Sequence, residues 1–385
     1  MDLKSIENIV SLCKRRGFIF QSSEIYGGLG STWDYGPYGV EMKQKIKDFW
    51  WHDVVTSREN VVGMDAAILM HPKTWEASGH VSNFHDPLVD CKNCKARYRA
   101  DHVDLNKPCE RCGKKDWTEP RQFNLMFKTA IGPVEDSGEI TYLRPETAQG
   151  IFVNFMNVQG TSRQKLPFGI AQLGKAFRNE ITTGNFLFRT REFEQMELEF
   201  FIYPGENEKS LDYWCEERLN WFKKLGISPK KLRLRPHDKD ELAHYSTACF
   251  DVEYEFPFGW SELEGIADRG TFDLDQHNEY SGKKQQYFDP QTNERIIPAV
   301  VESSAGVDRT FLTCLVDAYC EEEVRDEKRI VLKLDPKIAP ITCAVFPLVK
   351  KDGLPEIAQK IVEDIRTKYS AFFDQGGSIG RRYRR

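Results

Sequence analysis

The chain has 385 residues, a mass of 44.6 kDa and a formal net charge of −5, enough length for about two to three domains. Aromatics at 12% exclude a disordered chain, and a mean hydropathy of −0.55 with no long apolar run excludes helical membrane spans. The first residues lack the basic flank and apolar stretch of a secretion signal, so a cytoplasmic protein is expected.

Residues 2–16 carry Leu3, Ile6, Val10 and Cys13 on one helical stripe that closes at Gly17. A glycine-rich turn follows (Gly27, Gly28, Gly30, then Tyr35-Gly36-Pro37-Tyr38-Gly39), and a second helix is expected over 40–55. Residues 66–70 read as a short strand. Six cysteines (Cys13, Cys215, Cys249, Cys314, Cys320, Cys343) stand singly and read as small core hydrophobes. The other four form two C-x-x-C pairs, Cys91 with Cys94 and Cys109 with Cys112. Two such pairs can surround one ion with four sulfurs, which leaves no open position and points to structural zinc. Reduced, unliganded thiols are the plain alternative.

Over 168–203 the period changes to two, with Met196, Leu198, Phe200 and Ile202 on one face and Gln195, Glu197 and Glu199 on the other. Acids alternating with apolar residues inside a long strand are unusual for plain sheet surface. A helix is expected over 208–225, strands over 249–256 and 296–302, and a helix over 308–319 opened by Gly306. Residues 333–340, with two prolines, read as a linker; a strand over 342–347 and a helix over 354–369 then begin a βα unit. Strands between helices without regular alternation predict an α+β fold with a mostly antiparallel sheet. From Lys337 to Arg385 ten basic residues face five acidic ones, a local excess that suits phosphate or simply a solvated end.

Gly169 to Lys175 nearly matches a phosphate-binding loop, but Ala176 stands where a hydroxyl should hold magnesium, and strand-forming sequence follows. No dinucleotide fingerprint, zinc-protease helix or nucleophile elbow is present. What remains is arginines and carboxylates two apart: Arg178 with Glu180, Arg191 with Phe193 and Glu197, Glu262 with Glu264, and Arg309 after Gly306. Guanidinium forks suit a nucleotide triphosphate, and carboxylates suit magnesium or an ammonium. Ion-pair ladders on an exposed sheet are the competing reading.

The strings FRNE (177–180), FRTREFEQMELEFF (188–201) and ESSAGVDR (302–309) resemble motifs 2 and 3 of class II aminoacyl-tRNA synthetases, and residues 35–55 are placed like motif 1. SEIYGGLGSTWDYGPYGVE, HPKTWEASGH, RQFNLMF, LRPETAQGIF and SELEGIADRG are similar specifically to the homodimeric glycyl-tRNA synthetase family. The resemblance runs almost end to end. It implies a class II catalytic domain over 1–332 with a zinc-binding insert at 88–120, a linker at 333–340, and about half of an α/β anticodon-binding domain at 341–385. The remaining strands of that domain are missing from the match, as in a C-terminally truncated member, so adenylate formation is expected to survive better than tRNA charging.

The resemblance also implies the site. Arg178, Arg191 and Arg309 would be catalytic, on the α-phosphate, the phosphates and the γ-phosphate. ATP would be lined by Arg178, Asn179 and Glu180, by Phe188, Arg189, Thr190, Arg191, Glu192 and Phe193, by Glu262 and Leu263, and by Gly306, Val307, Asp308 and Arg309. Glycine would be held by Arg99 (with Arg97 as its rival), Glu146, Phe193, Glu194, Gln195, Met196, Glu197, Glu302, Ser303, Ser304, Ala305 and Gly306. Glu262 would carry Mg2+, and Zn2+ would sit on the four cysteines. The implied activity joins glycine to tRNA(Gly) through glycyl-adenylate, in a homodimer and without a membrane. Other class II types are not expected to carry the LRPETAQG and TWEASGH strings together, and a non-catalytic nucleic-acid binder would not need the three motif arginines.

Overall fold

The computed structural model describes residues 4–133, 139–181, 184–243, 245–324 and 327–383; Asp2 and Leu3 of the expected first helix and Arg384 and Arg385 of the basic tail lie outside the described residues. The main sheet has seven strands, numbered along the chain: β1 (Val61–Met64), β2 (Phe168–Phe177), β3 (Glu192–Ile202), β4 (Leu232–Pro236), β5 (Ala248–Phe256), β6 (Gly259–Gly270) and β7 (Ala299–Gly306). Their spatial order is β4-β5-β6-β7-β3-β2-β1, with every neighbour antiparallel except the β1–β2 pair. Helices of ten or more residues among the described residues are α1 (Lys4–Arg16), α2 (Pro37–Trp51), α3 (Asn207–Lys224), α4 (Phe272–Ser281), α5 (Val307–Ala318) and α6 (Leu354–Arg366).

Strand β3 shows why the sheet has two unlike faces. Met196, Leu198 and Ile202 are fully buried in the larger core, which they share with Ile9 of α1, Trp50 of α2, Trp214 and Trp221 of α3 and Phe311 of α5. The opposite face begins apolar: Phe201 packs with Phe152, Phe155, Phe168 and Leu274 in a second core. One residue pair further on, that face turns acidic while staying buried. Helix α2 starts at Pro37 in the first turn, where a missing N–H costs nothing. Helix α5 follows β7 without a connecting loop, Gly306 being its N-cap.

Several expectations change. Residues 66–70 are not a strand: Ala66 donates its N–H to Gln172 Oε1 (3.3 Å) and its carbonyl accepts from Arg144 Nη1 (2.7 Å), so side chains take the groups a ladder would need. The 168–203 run is two strands joined by a loop. The phosphate-loop look-alike lies within β2, and a Cβ on Gly174 would sit 2.2 Å from the Arg144 guanidinium; that glycine makes room for a buried arginine rather than for phosphate. Residues 333–340 are irregular but anchored, with Ile338 only 2% exposed in the larger core and Lys45 Nζ donating to the Ala339 carbonyl at 2.5 Å. Beyond them Cys343–Val345 and Ala371–Phe373 pair in parallel around α6, completing a βαβ unit. The cysteine insert carries His85–Asp90 between Arg97–Arg99 and Arg121–Asn124 in a three-stranded sheet.

Candidate active site

On β3 the buried acids Glu199 and Glu197 follow Phe201 on the same face. Across the β3–β7 ladder Glu199 faces Glu302 and Glu197 faces Ser304. Glu197, Glu199 and Glu302 bring carboxylate oxygens within 4.8 Å of one another. Buried Glu146 and Asp273 of α4 join them. Among the described residues Arg269 of β6 is the guanidinium that pairs directly with these acids, at 2.7 and 2.8 Å from Asp273 and 2.5 Å from Glu302. The Tyr245 ring lies 3.7 Å from its central carbon. Thr147 and Ser304 (2.9 Å) donate hydroxyls to Glu197. Gln149 Nε2 bridges Glu146 (3.2 Å) and Asp273 (2.9 Å), and His80 Nε2 stands 3.2 Å from Glu146.

Burial, reinforced by Glu302 and Glu146, pushes the Glu197 carboxyl up to about 8. Burial and then Glu302 hold Glu199 well above the ordinary carboxylate range, and both Glu199 oxygens lack a hydrogen-bond partner. Burial raises Glu302 as well, although Arg269 opposes it. Glu146 goes the other way, because His80, Arg269 and Arg178 outweigh its burial. Five carboxyl groups around one paired guanidinium leave surplus negative charge or bound protons, and a small ammonium would relieve either.

Beside the acids lies a cavity of about 140 Å³ whose walls include Arg178, Glu180, Arg189, Phe193, Gln195, Ser304 and Gly306. Arg178 Nε donates to the Pro145 carbonyl at 3.0 Å, and its guanidinium lies 5.3 Å from the rings of both Phe84 and Phe193. Arg309 leaves the first turn of α5, stacks over Phe188 at 4.4 Å, donates to the Phe188 carbonyl at 3.1 Å and pairs with Glu262 at 3.0 Å. The Arg309 guanidinium holds the carboxyl of Glu262, whose side chain is 46% exposed, below the ordinary carboxylate range. These three residues also line the cavity, whose volume lies below the usual ligand-pocket range of about 300–1,000 Å³.

The remaining expected residues divide by face and by loop geometry. Arg178 and Glu180 do not share a strand face: β2 ends at Phe177, and Glu180 N–H closes a tight turn onto the Arg178 carbonyl at 2.7 Å. Asn179 is held there through its N–H on the Leu125 carbonyl, 2.7 Å away. Arg191 precedes β3 and turns from the cavity, donating to the carbonyls of Gly30 (2.8 Å) and Glu180 (3.3 Å), while Arg189 takes the cavity wall. Glu262 and Glu264 do not face the same way, because the β5–β6 register shifts opposite Leu263; Leu263 enters the larger core and Glu264 pairs with Arg218. Met196 and Val307 are buried in that same core, and Ala305 shares it while touching the cavity. Ser303 donates to Glu264 at 2.5 Å.

Glu194 belongs to the α2 side, at 2.6 Å from Lys43 and 3.1 Å from Lys47. Asp308 accepts from Tyr35, from Lys43 (3.3 Å) and from the Glu194 N–H (2.8 Å). Thr190 bonds the Glu192 carbonyl at 3.0 Å, and Glu192 pairs with Lys175 on the surface. Arg99 lies in the insert, paired with Asp86 (2.9 Å) and Asp101 (2.7 Å), whereas the Arg97 side chain is 71% exposed. Arg269, Asp273, Thr147, Gln149 and His80 complete the acid pocket without having been singled out in the sequence. Thr147 and Gln149 adjoin Glu146 within LRPETAQG, His80 ends HPKTWEASGH and Arg269 lies in SELEGIADRG, so a signal existed for those four.

A family profile described as the tRNA synthetase class II core domain (G, H, P, S and T) matches residues 127–319. The chain is 55% identical over 391 residues to the glycine–tRNA ligase of Treponema denticola and 56% identical over 385 residues to that of Borreliella burgdorferi, in each case covering 99% of this chain and 86% of the relative. The Caldanaerobacter subterraneus glycine–tRNA ligase is 54% identical over 408 residues, covering 99% and 88%. The chain belongs to the glycine–tRNA ligase family. Among solved structures, Giardia lamblia prolyl-tRNA synthetase in complex with prolyl-adenylate superposes with a TM-score of 0.68 at 15% identity, covering 99% of this chain and 65% of that one. This likeness extends the class II fold to a distant relative. No helix among the described residues is long and apolar enough to cross a membrane.

In this family member the four paired cysteines pass a geometric test for one tetrahedral ion. Their sulfurs all lie within 4.8 Å, with Cys91–Cys112 at 3.6 Å and Cys94–Cys109 at 3.7 Å. Zinc–sulfur bonds of about 2.3 Å in a tetrahedron set sulfurs about 3.8 Å apart. Both turns are built alike: the residue after each second cysteine, Lys95 (φ 58°) and Gly113 (φ 70°), is left-handed and returns its N–H to the carbonyl of the first cysteine.

Proposed function

We propose that the acid pocket binds glycine, that the adjoining cavity binds ATP, and that the pair forms glycyl-adenylate for transfer to tRNA(Gly). The observation that carries this reading is the enclosed set Glu146, Glu197 and Glu302, each less than a tenth exposed, with Ser304 and Arg269 beside them. These acids grip the ammonium, and the closed pocket rejects larger amino acids by clash, since glycine offers no side chain to hold.

Held there, the glycine carboxylate faces the cavity. One of its oxygens forms a bond to the α-phosphorus as the bond to pyrophosphate breaks. Arg178 stabilises charge on the α-phosphoryl group, and Arg309 holds the terminal phosphates after exchanging Glu262 for them. Arg189, at the cavity wall, is better placed than Arg191 to reach phosphate. Arg191 instead fixes the loop onto the glycine-rich turn. Phe193 and Phe188 offer ring faces to adenine, and Glu262, released from Arg309, is the proposed Mg2+ ligand. The ribose hydroxyl at the tRNA 3′ end then attacks the adenylate carbonyl, and AMP leaves.

The four-cysteine cluster would hold zinc structurally within the 88–120 insert. The catalytic domain would extend over 1–332, and 341–385 would belong to an anticodon-binding unit, a reading supported by the βαβ arrangement. The turn before α2, with Ile25 and Tyr26 each 88% exposed and Leu29 58% exposed, supports pairing of two copies. Amino-acid-dependent ATP–pyrophosphate exchange tests the core claim: exchange with glycine alone among the twenty amino acids is expected, and none with glycine from folded protein overturns it.

A further inference from the structure

His237 directly follows β4, and its N–H donates to the Cys249 carbonyl of β5 at 2.9 Å. Cys249 and Asp251 stand two apart on β5, so their side chains share a face. The imidazole, thiol and carboxylate each bring a ligand atom within 4.8 Å of the others. His237 Nε2 lies 2.8 Å from Asp251 Oδ2, yet this buried nitrogen makes no hydrogen bond. With Cys249 the two groups bring three donor atoms of different kinds to one place, the grouping an ion needs. The third donor, Cys249, has only a long 4.0 Å contact to the Phe250 carbonyl. Arg235 steadies Asp251 from outside at 3.3 Å while bonding chiefly to Glu241 and Glu253, the kind of outer support that orients a ligand.

We propose that His237, Cys249 and Asp251 form a three-ligand site for a borderline-soft divalent cation of the zinc class, separate from the four-cysteine cluster. One nitrogen, one sulfur and one oxygen suit zinc or cobalt(II) and are a poor match for magnesium, which takes oxygen ligands. Thiolate and carboxylate neutralise the ion, and three protein ligands leave a fourth position for water. The site is not the magnesium position proposed for ATP, since Glu262 is not among its ligands.

Cobalt(II) titration of the full chain carrying one zinc per chain tests this. One further equivalent is expected to bind without zinc release and to give a thiolate-to-cobalt absorption band. Cys249→Ser should abolish the band. His237→Gln should raise the cobalt concentration required by at least the roughly 10–100-fold that loss of even an outer partner costs. A wild-type chain that takes up no second metal, or a Cys249→Ser chain that keeps the band, overturns the proposal. Should Cys249→Ser fail to fold, His237→Gln decides alone, and unchanged cobalt affinity in that variant is the overturning result.

Discussion

Two buried carboxylate–guanidinium clusters stand back to back on β6 and β7. On the core face Glu264 meets Arg218 at 2.6 Å, both side chains 0% exposed, with Ser303 donating to the same carboxylate. The guanidinium also lies 4.8 Å from the Trp221 ring and 3.8 Å from Asp53. One residue along β7, Glu302 points the other way and pairs with Arg269, which already holds Asp273. The first cluster matches one guanidinium to one central carboxylate in charge, while Arg218 Nη1 and Nη2 and Glu264 Oε2 make no hydrogen bond. The second sets five carboxyl groups around one paired guanidinium, which leaves surplus negative charge or bound protons. Two deeply buried ion pairs thus differ in stoichiometry, with one carboxylate per guanidinium in the first and a surplus of carboxyl groups in the second.

The largest effect should come from breaking the first cluster. Arg218→Ala leaves Glu264 buried without a partner and should cost about 3–5 kcal/mol of stability by urea unfolding. Replacing both partners with apolar residues, Arg218→Met with Glu264→Leu, should recover most of it. A single variant as stable as the wild type would show that the core face tolerates an unpaired charge.

Next is the second cluster. Glu302→Gln should leave the urea midpoint nearly in place while raising the KM for glycine in pyrophosphate exchange by about 10²-fold, as expected when one member of a desolvated charge pair is neutralised. A loss of stability as large as that of Arg218→Ala, with an unchanged KM, would place the acids in the scaffold instead of the site.

A third test concerns protons. The folded chain holds the Glu197 proton up to about 8 against an ordinary 4.5, so between those values it binds more protons than the unfolded chain. The stability this group contributes is therefore full below 4.5 and lost as the pH rises through about 8. The urea midpoint should fall over that window, and less steeply in Glu197→Gln, which cannot ionise. Equal slopes would mean that Glu197 is already ionised in the fold.

Much of the site was legible because motif residues lie close together in the chain. The Glu197 position, the Arg309 placement at a helix start and the four-cysteine cluster follow from local spacing, and Glu302 from the family resemblance. The failures share a cause. Arg191 and Glu180 were assigned by strand parity, but β2 stops at Phe177 and β3 begins at Glu192, so parity does not run through the loop. Glu264 was paired with Glu262 until a bulge at Leu263 separated their faces. Arg269 lies within SELEGIADRG, but its role depends on acids brought in by α4 and β7.

By itself the sequence determined the α+β class, the positions of α1, α2, α3, α5, α6, β5 and β7, the family and the presence of acids on an otherwise apolar strand. All of these rest on periodicity or on strings of neighbouring residues. Only the tertiary structure decided which acids share a guanidinium, which arginine reaches the cavity, and that Gly174 accommodates Arg144 rather than phosphate. Those outcomes depend on register between strands distant in the chain, and no period within one segment encodes where its partner stops, bulges or turns.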